Sequence, residues 1–240
     1  VVFGIASSTV LGSLGAITAV IVLIFRDTIL GFVTGIHVAT SKNLKPGDWV
    51  AIPKYNIEGN IEGIDLLTTK IKNFDKTIST IPTYDLLTTE IKNYQVISDE
   101  NTRRIKKSIM FNMKSLKFVD DDLMERLKKI NLIKTYLNLK EKEISEEKNS
   151  LENPDEIING TQLTNIGVFR KYVQNYLNHN NQIDQNEIIL VRQLQSMPEG
   201  LPLEIYCFAT EADTEKYENI QSDIFDHLLS AAKEFELDIV

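Results

Sequence analysis

The feature that most constrains this chain is a charge-free run. Residues 1–25 carry no charged side chain and end in an adjacent Arg26 and Asp27, after which helical spacing resumes with glycines at Gly31 and Gly35. As a helix, residues 1–25 would be about 37 Å long, enough to cross the hydrocarbon of a bilayer. The run has no basic leader and is too long for the apolar core of a signal peptide, and no small-residue cleavage site precedes polar sequence. The chain opens on Val1, which leads us to expect a longer protein with further membrane sequence upstream.

Small residues recur along this first helix at four-residue spacing: Gly4, Ser8, Gly12 and Ala16, with Gly15 and Ala19 starting a second row. Hydrophobicity does not drive helices together in lipid, whereas small side chains let backbones approach closely. Two such rows suit a helix with a neighbour on each side. Arg26 and Asp27 then fall at the water boundary. Beyond them Ile29, Phe32, Val33 and Ile36 share one side of a helical wheel, while Thr28, Thr34 and Ser41 are polar. The pair thus predicts a bend, where a spanning helix turns into an amphipathic one along the interface. Gly31 and Gly35 allow a further tight contact.

The rest is soluble in character. The net charge of −8 argues against a nucleic-acid partner, which needs a basic face to neutralise phosphates. After Lys45, PGDWVAI, NIEGNIEGI, TTKIKNF and KTISTIP read as short strands, with a hairpin tip at Asp75-Lys76. Five or so strands in fifty residues predict a small β-barrel. DLLTTKIKNF (65–74) returns as DLLTTEIKNY (85–94), with eight of ten letters identical. Two copies make no solenoid. In the second copy we expect the Asp-Leu-Leu part to be a helical turn, with the Lys-Asn-aromatic end as strand in both.

From Arg103 the pattern becomes α+β. RRIKKSIMFNM reads as a strand, and DDDLMERLKKI as a helix whose acids suit its positive end. A charged tract near Glu143 reads as a solvated helical face. The helix VFRKYVQNYL, the strands EIILVRQLQ and LPLEIYCFA joined by MPEG, and a last helix through SDIFDHLLSA follow, and LDIV is a candidate further strand. Cys207, the single cysteine, reads as a buried small hydrophobe. No catalytic or metal site emerges. His37, His179 and His227 lack ligand spacing, no phosphate-cradling glycine loop or nucleophile elbow occurs, and Asp120-Asp121-Asp122 is explained by its helix start. No cofactor is expected.

The order of LGSLGAITAVIVLIFRDTILGFVTG, LKPGDWVAIPKY, GIDLLTTKIKNFDKTISTIPTY, RRIKKSI, VRQLQSMPEGLPLEIYCFAT and YENIQSDIFDHLL resembles the small-conductance mechanosensitive channel family. The last two stretches point to its miniconductance branch of bacterial inner membranes. The resemblance implies a homoheptamer, with membrane lipids and permeating ions as its other partners, that opens under tension and releases ions and small solutes on hypoosmotic shock. It divides the chain into a pore helix with kink and interfacial helix (1–41), an Sm-like β-domain (42–100), and an α+β, ferredoxin-like domain (101–240) with a charged insertion at about 134–160. The two C-terminal parts would form a cytoplasmic vestibule. Setting Arg26-Asp27 on the family's Gln-Gly hinge puts Leu23 on the second of two constricting leucine rings and Ala19 on the first. Alanine is too short to seal a wide ring, which leaves Leu23, alone or with Val20 or Val22. Asp27 replaces the hinge glycine. If it faces the lumen one turn after Leu23, seven carboxylates favour cations, unless a neighbour's Arg26 pairs with them. The rival reading is a non-conducting, membrane-tethered oligomeric scaffold.

Overall fold

Two helices open the first part of the chain: α1 (Ser7–Ile24) and α2 (Arg26–Ser41). The computed structural model describes residues 7–41, 43–153, 156 and 158–240. No single described helix is long and apolar enough to cross a membrane, but the pair Ser8–Ile24 and Arg26–Val38, bent by 59°, passes that test together. The bend falls at Phe25, where the backbone hydrogen bonds Phe25 N to Ile21 O and Ile29 N to Phe25 O keep the helical pattern on either side. The chain divides into two compact units, Val1–Asp99 and Glu100–Val240.

The first unit continues with β1 (Trp49–Ile52), a 3-10 turn at Pro53–Tyr55, β2 (Ile57–Ile64), β3 (Thr68–Asn73), β4 (Ile78–Pro82), α3 (Asp85–Thr88), β5 (Lys92–Asn93) and α4 (Gln95–Glu100). Alternation explains the strands. Val50, Ile52, Ile61, Ile71 and Ile81 point to one buried face, while Lys70, Lys72 and Glu62 point out. The β3–β4 hairpin turns on Asp75, whose Oδ1 accepts from Thr77 N at 2.9 Å, with Lys76 at φ 70°. The sheet is antiparallel in the order β4-β3-β2-β1-β5. Its end strands β4 and β5 do not pair with each other, so the expected barrel is an open sheet. β5 has only two residues, Lys92 and Asn93, which offer little edge to close against β4. The near-repeat divides largely as expected, except that the aromatics Phe74 and Tyr94 lie just beyond the strands. Lys72-Asn73 and Lys92-Asn93 are strand in both copies, and Asp85–Thr88 is a helical turn.

The second unit comprises β6 (Arg103–Phe111), α5 (Asp121–Leu127), α6 (Asn131–Lys148), α7 (Asn165–Asn178), β7 (Leu190–Gln193), β8 (Leu201–Ala209) and α8 (Thr214–Ala231). Side-chain caps start three helices: Asp120 accepts from Leu123 N at 2.9 Å, Thr164 from Gly167 N at 3.2 Å, and Asp213 from Lys216 N at 3.0 Å. The sheet order is β6-β8-β7, all antiparallel. LDIV forms no strand of its own, because only Ile239 bridges to Phe111 on the free edge of β6. With that bridge counted, the order is that of a split βαβ arrangement of the ferredoxin-like kind, its fourth strand reduced to one pair. The core gathers Ile105, Phe111, Phe169, Leu203, Ile205, Ile224 and Phe235. Cys207 lies within it, fully buried. The charged insertion starts later than expected. Ile133 and Leu137, in the first turns of α6, are core residues, and the solvated part is the acidic stretch that follows.

Candidate pore-lining helix and its seat on the β-sheet

Every described side chain of α1 from Ser8 to Ile24 is exposed, with Leu23 at 72 %. Each large apolar side chain left in water forgoes about 1.5–3 kcal/mol of burial free energy. A helix of this composition therefore needs lipid or other protein around it. Ala19, Val20 and Val22 share this exposure with Leu23. A Cβ built at Gly12 or Gly15 meets nothing within 4 Å. Ser8, Gly12, Gly15 and Ala16 are thus open faces in the single chain, and Gly4 lies outside the described residues. Arg26 and Asp27 are both exposed at the bend and form no ion pair among the described residues.

On α2 the structure separates an outward apolar side from an inward side of small residues. Ile29, Phe32, Val33 and Ile36 are exposed, whereas Gly31, Thr34 and Val38 are buried. The helix rests on the sheet through its small residues and turns its large apolar ones outward. Gly31 makes the closest approach, since a Cβ there would overlap the Leu66 carbonyl oxygen. Val38, 5 % exposed, joins Val50, Ile52, Ile61 and Ile71 in the sheet's core. Gly35 makes no such close contact within the single chain. Nothing lies within 4 Å of its Cβ position, because it borders a cleft of about 650 Å3 shared with Phe32, Ile36, Leu44, Ile64 and Leu66.

Two buried carboxylates brace the first unit, one of them beside this seat, and neither was singled out from sequence. Asp48, 2 % exposed, accepts through Oδ2 from Lys45 N and from Asn93 Nδ2, both at 3.1 Å. Asn93 Nδ2 also donates to Asn43 O at 2.9 Å, tying the segment after α2 to β5. Asp85, 1 % exposed, accepts from Tyr55 Oη and from Lys54 Nζ at 3.0 Å, clasping the β1–β2 turn to α3. Burial pushes the Asp85 carboxyl up, but the bonds from Tyr55 and Lys54 and the Lys54 charge prevail and hold it below the usual carboxylate range. The sequence signal for this clasp was the second DLLTT, whose aspartate sits in a context unlike that of the first. The histidines have structural surroundings. The ring of His227 lies 4.3 Å from that of Tyr176 and its Nε2 is 2.6 Å from Tyr172 Oη, while His179 Nδ1 is 2.7 Å from Asn175 O. Among the described residues no group of three or more metal-ligating side chains comes together.

The segment built from α2 through the five strands has known counterparts. Residues 27–96, from the first turn of α2 to the start of α4, match the family model for the β-domain of mechanosensitive ion channels. Through that segment the chain is similar to the small-conductance mechanosensitive channel family. A small-conductance mechanosensitive channel of Methanocaldococcus jannaschii, MscMJ, is 35% identical over 75 residues, and an MscS family protein of Aquifex aeolicus is 31% identical over 80. These alignments cover 31% and 33% of this chain, and 21% of each relative's length. In fold the likeness is wider. MSL1 of Arabidopsis thaliana aligns with 98% of this chain at a TM-score of 0.63, and closed-state MscS of Helicobacter pylori with 99% at 0.61, each at 16% identity. The chain spans 65% and 72% of those two structures. The likeness of fold therefore takes in α1 and the second unit, which the family model does not reach.

Proposed function

We propose that this chain supplies the pore and vestibule of a tension-gated ion channel. The observation that carries the reading is the bent pair α1–α2, with an unpartnered apolar helix leading into one seated on a β-sheet by Gly31, Thr34 and Val38. In this reading copies of α1 surround a central pore, a homoheptamer by likeness to the family. The α1 faces bearing Gly12, Gly15 and Ala16 meet their neighbours, and Leu23, alone or with Val20 or Val22, forms the constriction. The exposed side of α2 lies against lipid at the membrane surface. The five-stranded sheet is the Sm-like domain, and the two β-containing parts stand in the cytoplasm beneath a plasma, or inner, membrane. The resemblance of stretches 191–210 and 217–229 supports a reading within the miniconductance branch.

The physics of opening follows from area. An open ring of helices occupies more membrane than a closed one, so tension biases the equilibrium as a ligand favours the state it binds better. The biological outcome is release of ions and small solutes when external osmolarity drops. The relatives are named as channels, and no enzymatic step is assigned.

The test is patch-clamp recording under graded suction, using the full-length protein in bacterial membranes lacking their own tension-gated channels. Stepwise currents that appear with suction and change in a Leu23→Ser variant support both pore and constriction. Silence up to membrane rupture, with expression verified, transfers the weight to a non-conducting oligomeric scaffold.

A further inference from the structure

The second unit is a two-layer body whose opposite sides carry opposite charge. Its helices pack on one face of the β6-β8-β7 sheet, with Ile105, Ile109, Leu203 and Ile205 pointing into the core between the layers. The outward face of the same sheet carries Arg104 and Lys106 from β6, Arg192 from β7, and Glu204, Tyr206 and Phe208 from β8, in facing register. Arg104, Lys106 and Arg192 are exposed; Glu204 is buried at 4 %. The fork of Arg192 holds Glu204 Oε1 through Nε at 2.9 Å and Nη2 at 2.7 Å, and Lys106 Nζ stands 3.8 Å from Oε2. One carboxylate among three cations leaves the face positive. The Arg104 guanidinium sits 5.8 Å from the Tyr206 ring, which meets Phe208 edge-on at 5.7 Å, so the cations border an aromatic, half-buried floor.

On the other side, α8 buries Tyr217, Ile220, Ile224 and Leu228 against the sheet and turns Glu215, Glu218, Asp223 and Asp226 outward beside its one lysine, Lys216. Lys107 of β6 reaches the Phe225 ring at 5.7 Å, and the carboxylates outnumber these cations four to two. One copy thus presents a cationic, aromatic face and an anionic face pointing away from it. Neither face is self-complementary: two sheet faces brought together would oppose cation to cation, and two α8 faces carboxylate to carboxylate. A two-fold dimer through either is disfavoured, whereas head-to-tail contact is favoured at every step. Head-to-tail contacts that close give rings.

We infer that the sheet face of Arg104, Lys106 and Arg192 docks the acidic face of α8 from a second copy of this chain. This rests on the ring assembly proposed above and specifies which surfaces of the vestibule unit meet. Tyr206 and Phe208 supply apolar contact at the centre of the patch, and the charges set partner and direction.

The experiment is disulfide cross-linking of the full-length protein in detergent, with native mass spectrometry on the same samples. Cysteines are placed at Lys106→Cys, at Asp226→Cys, and at both together; the buried Cys207 stays out of the reaction. The expected result is a ladder beyond dimer in the double variant and none in either single one. Adding Arg104→Glu to the double variant cuts cross-linking roughly tenfold, and Glu218→Lys on top restores it, as expected of opposed charges at a contact. Dimers from a single-cysteine variant would mean like faces meet, and would overturn the inference. A multimeric mass with no ladder would also overturn it, placing the contact elsewhere and leaving the sheet face to solvent and small anions. A monomeric mass would overturn the ring reading itself.

Discussion

The seat of α2 makes opposite demands on two glycines four residues apart. Gly31→Ala and Gly35→Ala gain the same helix propensity, about 1 kcal/mol each in a helix interior. At Gly35 the new methyl enters open space, so that gain is kept. At Gly31 it runs into the Leu66 carbonyl oxygen, a backbone atom that cannot swing away as a side-chain end can. Either α2 lifts, uncovering Thr34 and Val38, or the β2–β3 turn retreats. Overpacking of this kind costs about 1–3 kcal/mol. Propensity cancels between the two variants, so that cost is the expected difference. For a unit of this size 1 kcal/mol moves the melting midpoint by roughly 4–8 °C. Trp49, the one tryptophan, lies in the same unit between Phe74 and Tyr94, and its fluorescence reports the transition. Gly31→Ala should therefore melt at least about 4 °C below Gly35→Ala in the same detergent. Equal midpoints, or the reverse order, would refute the seat as described.

Three further outcomes are expected. Asp85→Asn should destabilise the first unit by about 1.5–3 kcal/mol at neutral pH through weakened charge-assisted bonds to Tyr55 and Lys54. Because the folded carboxyl is held low, its contribution is complete above the unfolded value near 4 and fades as pH falls through the folded one, so the variant should lose less stability than the parent on acid titration by Trp49 fluorescence. Asp27→Lys should shift the reversal potential in a salt gradient toward anions; an unchanged potential excludes a lumenal carboxylate ring. Burial pushes the Cys207 thiol up to about 12, so a maleimide at pH 8 should leave it unmodified in the folded protein and label it on unfolding.

What could be read from sequence was mostly local chemistry. The Asp75 turn, the Asp120 cap and the alternation of Ile61, Ile71 and Ile81 each depend on neighbours a few positions away, and each element stands where it was expected. The bend after the charge-free run was legible because two adjacent charges cannot continue an apolar helix into lipid. The buried side of α2 was not legible. Hydrophobic patterning marks Ile29, Phe32, Val33 and Ile36 as one apolar side, and these face an environment outside the single chain, but it carries no signal that the intramolecular contact falls to Gly31, Thr34 and Val38. The carboxylate clasps escaped for another reason: Asp85 and its partners Lys54 and Tyr55 are thirty or so positions apart, and only the folded sheet brings them together. The same holds for Tyr172 and His227.

The near-repeat has a consequence for how the first unit folds. DLLTTEIKNY contains the residues that β3 presents to β2, with Thr89, Ile91 and Asn93 in the places of Thr69, Ile71 and Asn73, so the chain carries a decoy for its own central hairpin. The decoy is disfavoured by distance. The native pairing of β2 closes through residues 65–67, whereas the impostor would close through 65–87, about three doublings of loop length and roughly 2 kcal/mol of closure entropy. Synthesis order works in the same direction, since the first copy emerges and pairs before the second exists. Lengthening the β2–β3 turn with flexible residues erodes that margin, and a slow refolding phase, absent from the parent, is the expected sign of the decoy being sampled.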